Sequence, residues 1–335
     1  MRHVLLATLA LTACGRADLD GAPAASTDSP ALYTTLTATN PRNPIAKAVL
    51  HPPIAPQMTS CDPQAEFGPL LADGEDTAQV YNVPTRYSAD ELTAYASIAS
   101  GGTAADIFAA TRSTVGAPFG AFTALSPLNL PEIEDRSPTV TADGLTLYFE
   151  SYRLMYPHIY SATRATTSDP WSNVQLVAEL DFPAIHYDFS AYVSADGEEI
   201  WFTSDRPDGN LPGDMLELWF SVKQNGVFTT PKHAAQIGST YNEGYPVLSA
   251  DRLTLYFASD RLTATMPFGG WKIFKATRAS LSDDFAAPEL VSEIASTQYI
   301  EYMPAFVSAD GCRLYVQSMH GNYITNNLVA AKAGP

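Results

Sequence analysis

Five polar side chains recur at one position of the sequence, each just before a run of residues that favours a β-strand. They are Asn82, Asp135, Asp188, Glu243 and Glu301, and Glu301 stands one residue out of register with the others. Carboxylates that converge on one point bind Ca²⁺, and a pair of them can act as acid and base in glycoside hydrolysis. These side chains could instead accept backbone N–H groups or meet an Arg of the next repeat. This second interpretation is favoured, because every repeat must contact its neighbours.

Basic and aromatic side chains give weaker indications. Arg153, Arg206 and Arg261 could recognise an anion, although a local Asp–Arg pair in a turn is favoured. The tryptophans of the predicted strands favour packing over a sugar platform. They are Trp201, Trp219 and Trp271.

Local motifs for metal or cofactor chemistry are missing from the sequence. The six histidines and three cysteines show no metal-ligand spacing. There is no Gly-x-Ser-x-Gly elbow, phosphate loop or dinucleotide fingerprint. Ca²⁺ is therefore the one cofactor considered, and enzymes that assemble a site from single residues on separate strands stay open.

The elements that would position these side chains follow from an internal repeat. A small hydroxylated residue followed by Ala and Asp occurs five times, at Ser88, Thr141, Ser194, Ser249 and Ser308. The Asp residues are 53, 53, 55 and 59 positions apart, and a run with aromatic or β-branched residues follows the phrase. Three of the five Asp residues precede Gly, which favours a tight hairpin. The phrase is therefore predicted to be a turn between two strands.

Two further segments complete each repeat. A third strand is predicted at residues 107–112, 159–164, 218–223, 273–278 and 328–332, and aromatic residues at Phe119, Trp171, Phe228 and Phe285 mark a fourth. Four antiparallel strands form one blade of a β-propeller. The fifth repeat lacks its outer strand, and residues 66–71 resemble the fourth-segment phrase. The predicted fold is all-β, a five-bladed β-propeller closed by its own N-terminal strand.

Two cysteines fall in the fifth blade of this arrangement. Cys61 precedes the closing strand and Cys312 begins the second strand, and these strands run parallel in a four-stranded meander. In an oxidising compartment a disulfide between them is predicted. The alternative is two unpaired thiols that the intervening strand keeps apart.

The first residues of the chain are predicted to be a targeting signal. A basic start and an apolar stretch lead to Leu11-Thr12-Ala13-Cys14, which resembles the lipobox of bacterial lipoproteins. The resemblance implies lipidation of Cys14, and Gly15 after it favours the outer membrane under the sorting rule of enterobacterial lipoproteins. An ordinary secretory signal is the alternative. The predicted organisation is a signal peptide at 1–13, a lipid-anchored, disordered Pro/Ala/Thr/Ser linker at 14–60 and the propeller at 61–335.

The charge of the chain excludes one class of partner. Asp and Glu outnumber Lys and Arg by 36 to 19, for a net charge of −17. A polyanion such as nucleic acid would be repelled. After the first thirteen residues no apolar run approaches the roughly 20 residues needed to span a bilayer. The body is therefore predicted to be a soluble monomer that meets the membrane through its lipid anchor.

The repeat phrase resembles that of a known family. Ser-Ala-Asp-Gly with Leu-Tyr-Phe and Ser-Asp-Arg, best preserved at 194–206 and 249–261, resembles the repeat of the TolB-type β-propellers, relatives of the WD-repeat. The resemblance covers about residues 78–335 and implies the fold more than the function. This chain departs from TolB in its lipid anchor, in five units rather than six and in having no room for an N-terminal α/β domain, so the Tol–Pal role is not carried over.

Two functions follow from this reading. The favoured one is an envelope-anchored scaffold that binds a protein or glycan without catalysis, with long inserts at 207–215 and 262–270 marking the rim where a partner would dock. The alternative is a carbohydrate-active or other hydrolytic enzyme. First strands line the channel of a propeller, so Asp135, Asp188, Glu243 or Glu301 would then act at one mouth of it.

Overall fold

The computed structural model of the chain is built from β-strands. It describes residues 61–62, 65–72, 85–99, 104–182, 186–207, 215–264, 267, 269–294, 300–320 and 323–333. Every regular element among them is a strand, and none of them forms a helix long and apolar enough to cross a membrane. The strands form five sheets, which confirms the prediction of an all-β, five-bladed arrangement. Residues 1–60, with Cys14, and Asn82 lie outside the described residues.

Four blades use strands that are consecutive in sequence. Blade one contains β2 (Arg86–Tyr87), β3 (Thr93–Ala99), β4 (Ala105–Thr111) and β5 (Thr123–Ala124). Blade two contains β6 (Asp135–Val140), β7 (Thr146–Leu154), β8 (Tyr156–Thr163) and β9 (Ser172–Leu176). Blade three contains β10 (Asp188–Val193), β11 (Glu199–Ser204), β12 (Glu217–Gln224), β13 (Val227–Phe228) and β14 (Lys232–His233). Blade four contains β15 (Glu243–Leu248), β16 (Thr254–Ser259), β17 (Lys272–Thr277) and β18 (Glu289–Leu290).

Blade five combines late strands with an early one. Its strands are β19 (Glu301–Val307), β20 (Arg313–His320), β21 (Tyr323–Ala331) and the outer strand β1 (Leu71–Ala72). The first strands contact one another around a ring, β2 with β6, β6 with β10, β10 with β15, β15 with β19 and β19 with β2. The first strand of every blade therefore lies next to the central channel.

The Ser-Ala-Asp phrase forms the turn between the first two strands of each blade. At Ser249 the hydroxyl donates to Asp251 Oδ1 (2.6 Å) and accepts from Thr254 N (2.8 Å), while Leu253 N donates to the same Asp oxygen (2.9 Å). The same network recurs at the other four sites. These bonds stabilise the charged form of the carboxylate, and the Thr141 hydroxyl accordingly lowers the pKa of Asp143.

The residue after this Asp explains the glycines of the phrase. Gly144, Gly197 and Gly311 have φ between +68° and +75°, a conformation that costs glycine little. In blades one and four the position is taken by Glu91 and Arg252, with φ near +61° and +62°. The sequence pattern therefore reflects a turn that requires positive φ. In blades one and four a residue other than Gly adopts this conformation at a small energetic cost.

The turns define two faces of the ring. The Ser-Ala-Asp turns and the connections between third and fourth strands lie on one side, here called the turn face. The hairpins between second and third strands and the connections from blade to blade lie on the other, here called the loop face.

One contact recurs in every blade and identifies the outer segment of blade five. The basic residue at the end of each third strand lies over the ring of the fourth-segment aromatic, at 4.2 to 5.1 Å from its centroid. In blade five the aromatic is Phe67, which lies before β1 and forms a bridge with Lys332. The pairs are Arg112–Phe119, Arg164–Trp171, Lys223–Phe228, Arg278–Phe285 and Lys332–Phe67.

Blades five and one are joined by polar contacts at the turn face. Arg313 of β20 donates two hydrogen bonds to the carboxylate of Glu91 (2.7 and 2.8 Å), and the Tyr315 hydroxyl donates to the same group (2.5 Å). Bidentate Arg–carboxylate pairs are among the stronger side-chain contacts. This junction therefore has a specific charge pair in addition to packing.

The channel is narrow and apolar at its turn-face end. The alanines of the five turn phrases line it, and just inside lies Arg86, which is 2% exposed. Its guanidinium donates to the Ala305 carbonyl (2.6 Å) and lies over the ring of Tyr192, and burial lowers its pKa to about 10. The first-strand carboxylates lie at the other end of the channel, on the loop face.

A disulfide joins Cys61 to Cys312. The Cα atoms are 5.7 Å apart, and the two residues are separated by 251 positions in sequence. Cys312 follows the turn of blade five, so the bond holds residue 61 at the turn face.

We expect the Cys312→Ser variant to lose about 2 to 5 kcal/mol of unfolding free energy, because the bond closes a long loop in the unfolded chain. Denaturant titration under oxidising conditions measures the loss. Cys61→Ser is the matched control and should show the same value. If the wild type and the two variants were equally stable under oxidising conditions, the expectation would be contradicted.

Candidate functional site

The predicted ring of carboxylates lies at the loop-face ends of the first strands. Asp135, Asp188, Glu243 and Glu301 are the first residues of β6, β10, β15 and β19. The first three are at most 2% exposed, whereas Glu301 is partly exposed. Across the sheet each of the first three faces a Ser and Glu301 faces Met319, so the register of Glu301 sets it apart.

Asp188 shows how these carboxylates are satisfied. Ser204 Oγ donates to its Oδ1 (2.7 Å) and Arg206 Nη2 to its Oδ2 (2.5 Å). The same Arg206 nitrogen donates to the Leu180 carbonyl (2.9 Å), which belongs to the connection from blade two. Burial raises the pKa of Asp188, although the guanidinium opposes this effect. The carboxylate therefore links two strands of its own blade to the end of the preceding blade.

Glu243 repeats the arrangement in blade four. Ser239 Oγ, Ser259 Oγ and Arg261 Nη2 all donate to its Oε1, at 2.6 to 2.8 Å. Arg261 also donates to the Ile237 carbonyl (2.9 Å). The arginine comes from the same blade as the carboxylate, which corrects the expectation of an Arg from the next blade. It reaches the neighbour through a carbonyl instead.

Blade two has a looser version of the same network. Arg153 Nη2 lies 3.3 Å from Asp135 Oδ1 and also donates to the Leu128 carbonyl. Ser151 Oγ and Arg153 Nε, whose counterparts bond each other in blades three and four, are buried without a hydrogen-bond partner. In all three blades the guanidinium also lies over aromatic rings of its own blade. Arg153, Arg206 and Arg261 thus pair with the first-strand carboxylates of their own blades, and not with a neighbouring Asp in the turn as predicted.

Third strands add a second titratable group at four junctions. Asp106, His158, Glu217 and Lys272 each interact electrostatically with the first-strand carboxylate of the next blade, which is Asp135, Asp188, Glu243 and Glu301 in turn. Two of these pairs are complementary in charge and two are pairs of carboxylates. The sequence did not point to these residues, because their type varies from blade to blade.

One junction gathers side chains of the kind that bind metals. His158, Asp181 and Asp188 offer ligand atoms within 4.8 Å of one another. Sequence spacing missed this group, because its members come from separate strands and a connection. The His158 Nδ1 is already 2.7 Å from Asp181 Oδ1, and Arg206 occupies the outer oxygen of Asp188. A cation at this place would have to displace both contacts.

Glu217 is the most perturbed acid at the loop face. It is 4% exposed, its Oε1 has no hydrogen-bond partner, and its Oε2 lies 3.5 Å from His233 Nε2. Burial and the neighbouring Glu243 raise its pKa to about 7, although His233 opposes them. Burial beside a second carboxylate therefore favours the neutral form of Glu217.

A polar cluster that the sequence did not single out lies beside Asp135. Arg136 donates to Glu150 Oε1 (2.6 Å) and to the Tyr152 hydroxyl (2.5 Å), and lies 3.1 Å from Glu134. Glu150 Oε2 accepts a hydrogen bond from Ser190 N of the next blade (3.0 Å). At two other junctions the hydroxyls of Ser97 and Thr203 accept the equivalent backbone N–H. The sequence did contain a signal for this cluster, because Glu150 is charged at a position where the other repeats carry neutral residues.

Aromatic side chains border the same end of the channel. Tyr245 and Trp271 are partly exposed and pack edge to face, with centroids 5.5 Å apart. The backbone N–H of Trp271 bonds Glu301, whose pKa burial raises. Trp201 and Trp219 are buried in the core. The loop-face mouth thus combines charged groups with two aromatic rings.

The geometry defines the chain as a five-bladed β-propeller, and comparison with known proteins agrees at the level of fold. No family model and no curated protein matches the sequence. The α-L-arabinofuranosidase of Podospora anserina, solved in complex with cellotriose, is 14% identical with a TM-score of 0.51, over 82% of this chain and 99% of that one. At this identity the likeness shows the fold alone.

TolB proteins are also among the structural neighbours. TolB from Acinetobacter baumannii is 14% identical with a TM-score of 0.42 over 80% of this chain, which spans 56% of that protein. The putative TolB from Agrobacterium tumefaciens is 11% identical with a TM-score of 0.47, over 79% and 89% of the two chains. The neighbours therefore include TolB proteins and a hydrolase, and they do not choose between binding and hydrolysis.

Replacement of Arg206 should expose the cost of an unpaired buried carboxylate. We expect Arg206→Met to lower the unfolding free energy by about 3 to 5 kcal/mol, and Arg206→Met with Asp188→Asn to recover part of this loss. Denaturant titration measures both. Lys275→Met is the control, because its partner Glu289 is exposed and 3.9 Å away. Equal stabilities for the Arg206 and Lys275 variants would refute the role assigned to the network.

The raised pKa of Glu217 predicts a pH-dependent contribution to stability. The neutral form is favoured in the folded state, so the contribution is complete below about pH 4.5 and is lost as the pH rises to about 7. Relative to Glu217→Gln, the wild type should lose roughly 3 kcal/mol across this window. Thermal unfolding at several pH values measures the difference. The exposed control Glu289→Gln should show no such trend, and a Glu217 difference that is flat with pH would contradict the shift.

Proposed function

We propose that this chain is a bacterial envelope lipoprotein whose propeller is a non-catalytic scaffold for a protein or glycan partner. Lipidation at Cys14, an outer-membrane location and the flexible linker 14–60 are parts of this proposal and rest on the lipobox resemblance. Closure of the ring by the N-terminal strand is a further part, supported by the pairing of β1 with β21.

The burial and pairing of the first-strand carboxylates are the observations that carry the proposal. A general acid or base must reach a substrate proton. Asp135, Asp188 and Glu243 are instead buried and bonded to arginines, and the last two also to serine hydroxyls. The same groups are poor candidates for Ca²⁺, because a guanidinium already occupies each one. Their recurrence is explained by the stitching of blades.

The exposed apolar side chains support a binding role for the loop face. Among the described residues, nine large apolar side chains are exposed, and six of them lie on the loop face: Leu130, Leu154, Met155, Tyr187, Leu262 and Ile300. Exposed apolar groups that cluster on one face are typical of interaction surfaces. The Cys61–Cys312 bond holds residue 61 at the opposite face.

A hydrolytic enzyme is the second candidate, favoured by one observation. Glu217, with a pKa raised to about 7, lies beside Glu243, and such paired carboxylates divide acid and base roles in glycosidases. Both groups are at most 4% exposed, so a substrate could reach them only after the loop face opened.

Membrane fractionation and crosslinking of the anchored full chain test the leading proposal. The wild type should carry lipid and sediment with membranes, whereas Cys14→Ser should do neither. An envelope component should crosslink to the loop face of the anchored protein. Failure of an envelope component to crosslink or co-purify would refute the scaffold. Turnover of an oligosaccharide panel that Asp188→Asn or Glu217→Gln abolishes would replace it with the enzyme.

A further inference from the structure

The hairpin between β7 and β8 has an apolar tip on the loop face. Leu154 is 53% exposed and Met155, at the tip, is 78% exposed. Tyr156 packs edge to face against the exposed Tyr187 of blade three, with centroids 5.6 Å apart. These four residues, here called the ridge, join the rims of blades two and three.

The backbone at the tip is strained in a way that stability alone does not explain. Met155 has a φ of +79°, a region that bulky side chains rarely adopt. Gly or Asn is the usual residue for such a turn, because either tolerates positive φ. A long, adaptable apolar side chain is held here at an energetic cost, and strain of this kind concentrates at functional sites.

The rest of the chain offers a comparison. Leu281 and Val227 are the exposed apolar side chains at the connections of the turn face, and neither residue has positive φ. Among the described residues, Met155 alone combines a positive φ with an exposed large apolar side chain. The ridge is therefore distinct from the scattered apolar residues that any surface carries.

The surroundings of the ridge are acidic. Among the described residues at the loop-face ends of blades two and three, carboxylates outnumber the guanidinium groups of Arg136, Arg153 and Arg206. None of these guanidinium side chains is more than 15% exposed, and each is bonded to a carboxylate. The carboxylates include Glu132, Glu134, Asp135, Glu150, Asp181, Asp188 and Asp205. Of the carboxylates, Glu132 is exposed and Glu134 and Asp205 are partly exposed, whereas the three guanidinium groups are largely buried.

We infer that the ridge docks a cationic, amphipathic segment of a polypeptide partner. The inference rests on the proposed scaffold function and specifies its partner. Apolar side chains of the segment would pack on Leu154 and Met155, while its Lys and Arg residues would face Glu132, Glu134 and Asp205. A neutral glycan would gain little from an aliphatic tip, and an anionic lipid surface would be repelled by the excess of negative charge.

A defined peptide tests the inference on the full chain. The probe is a twelve-residue helix of Lys and Leu, and the opposite probe has Glu in place of Lys. Binding is measured by calorimetry and by the ¹³C-methyl signal of Met155, with the buried Met303 as internal reference. The Lys peptide should shift the Met155 signal and bind more weakly as salt rises, whereas the Glu peptide should do neither.

Variants separate docking from folding. Met155→Gly with Leu154→Ser should weaken the Lys peptide roughly tenfold or more without loss of thermal stability, because Gly relieves the strained φ. Val227→Ser with Leu281→Ser, on the turn face, is the matched control and should leave the affinity unchanged. Equal affinities for the two double variants, or equal binding of both peptides, would overturn the inference.

Crosslinking in the anchored chain distinguishes this inference from the scaffold proposal. A photoreactive amino acid at Met155 should capture a partner segment rich in Lys or Arg and apolar residues. Capture from position 227 but not from position 155 would overturn the inference about the ridge and leave the scaffold proposal standing. Capture from neither position would overturn the ridge, and if no envelope component co-purified either, the scaffold would be overturned as well. Binding of vesicles of anionic lipid that the ridge variants abolish would replace the polypeptide with a membrane.

Discussion

The ring depends on buried carboxylates that arginines neutralise where one blade meets the next. At Asp188 and Glu243 a single guanidinium satisfies the carboxylate of its own blade and a carbonyl of the preceding connection. Loss of either partner would leave a charge in a medium where it cannot be solvated, so the network penalises any displacement of one blade against another. The regular positions of these groups reflect this requirement more directly than any need for catalysis.

The strands and turns could be predicted because they obey local rules that repeat. Ser-Ala-Asp specifies its turn through three hydrogen bonds within six residues, and the third-strand basic residue finds its aromatic within the same blade. The positions of Asp135, Asp188 and Glu243 were also evident from the repeat. Their partners were not, because the choice between a ligand site and an internal ion pair depends on packing between strands that the sequence separates.

Features that break the repeat were the ones that the sequence concealed. Glu150 replaces a neutral residue and bonds the next blade, and Met155 occupies a turn where Gly would fit. The cluster of His158 with Asp181 arises from a strand and a connection, so no spacing rule identifies it. In a repeat protein, regular positions explain how the ring is built and irregular ones indicate where it differs from its relatives.

The disulfide between Cys61 and Cys312 also determines how the domain would bear a mechanical load. A pull on the chain before Cys61 would pass through the covalent bond into the first residues of β20, an interior strand of blade five. Without that bond the force would act on the few backbone contacts of Asp62, Phe67, Gly68 and β1 with the end of the chain, which could separate one after the other. With it, the load reaches a strand that has neighbours on both sides and must be sheared as a whole. The domain is thereby suited to being held by one end.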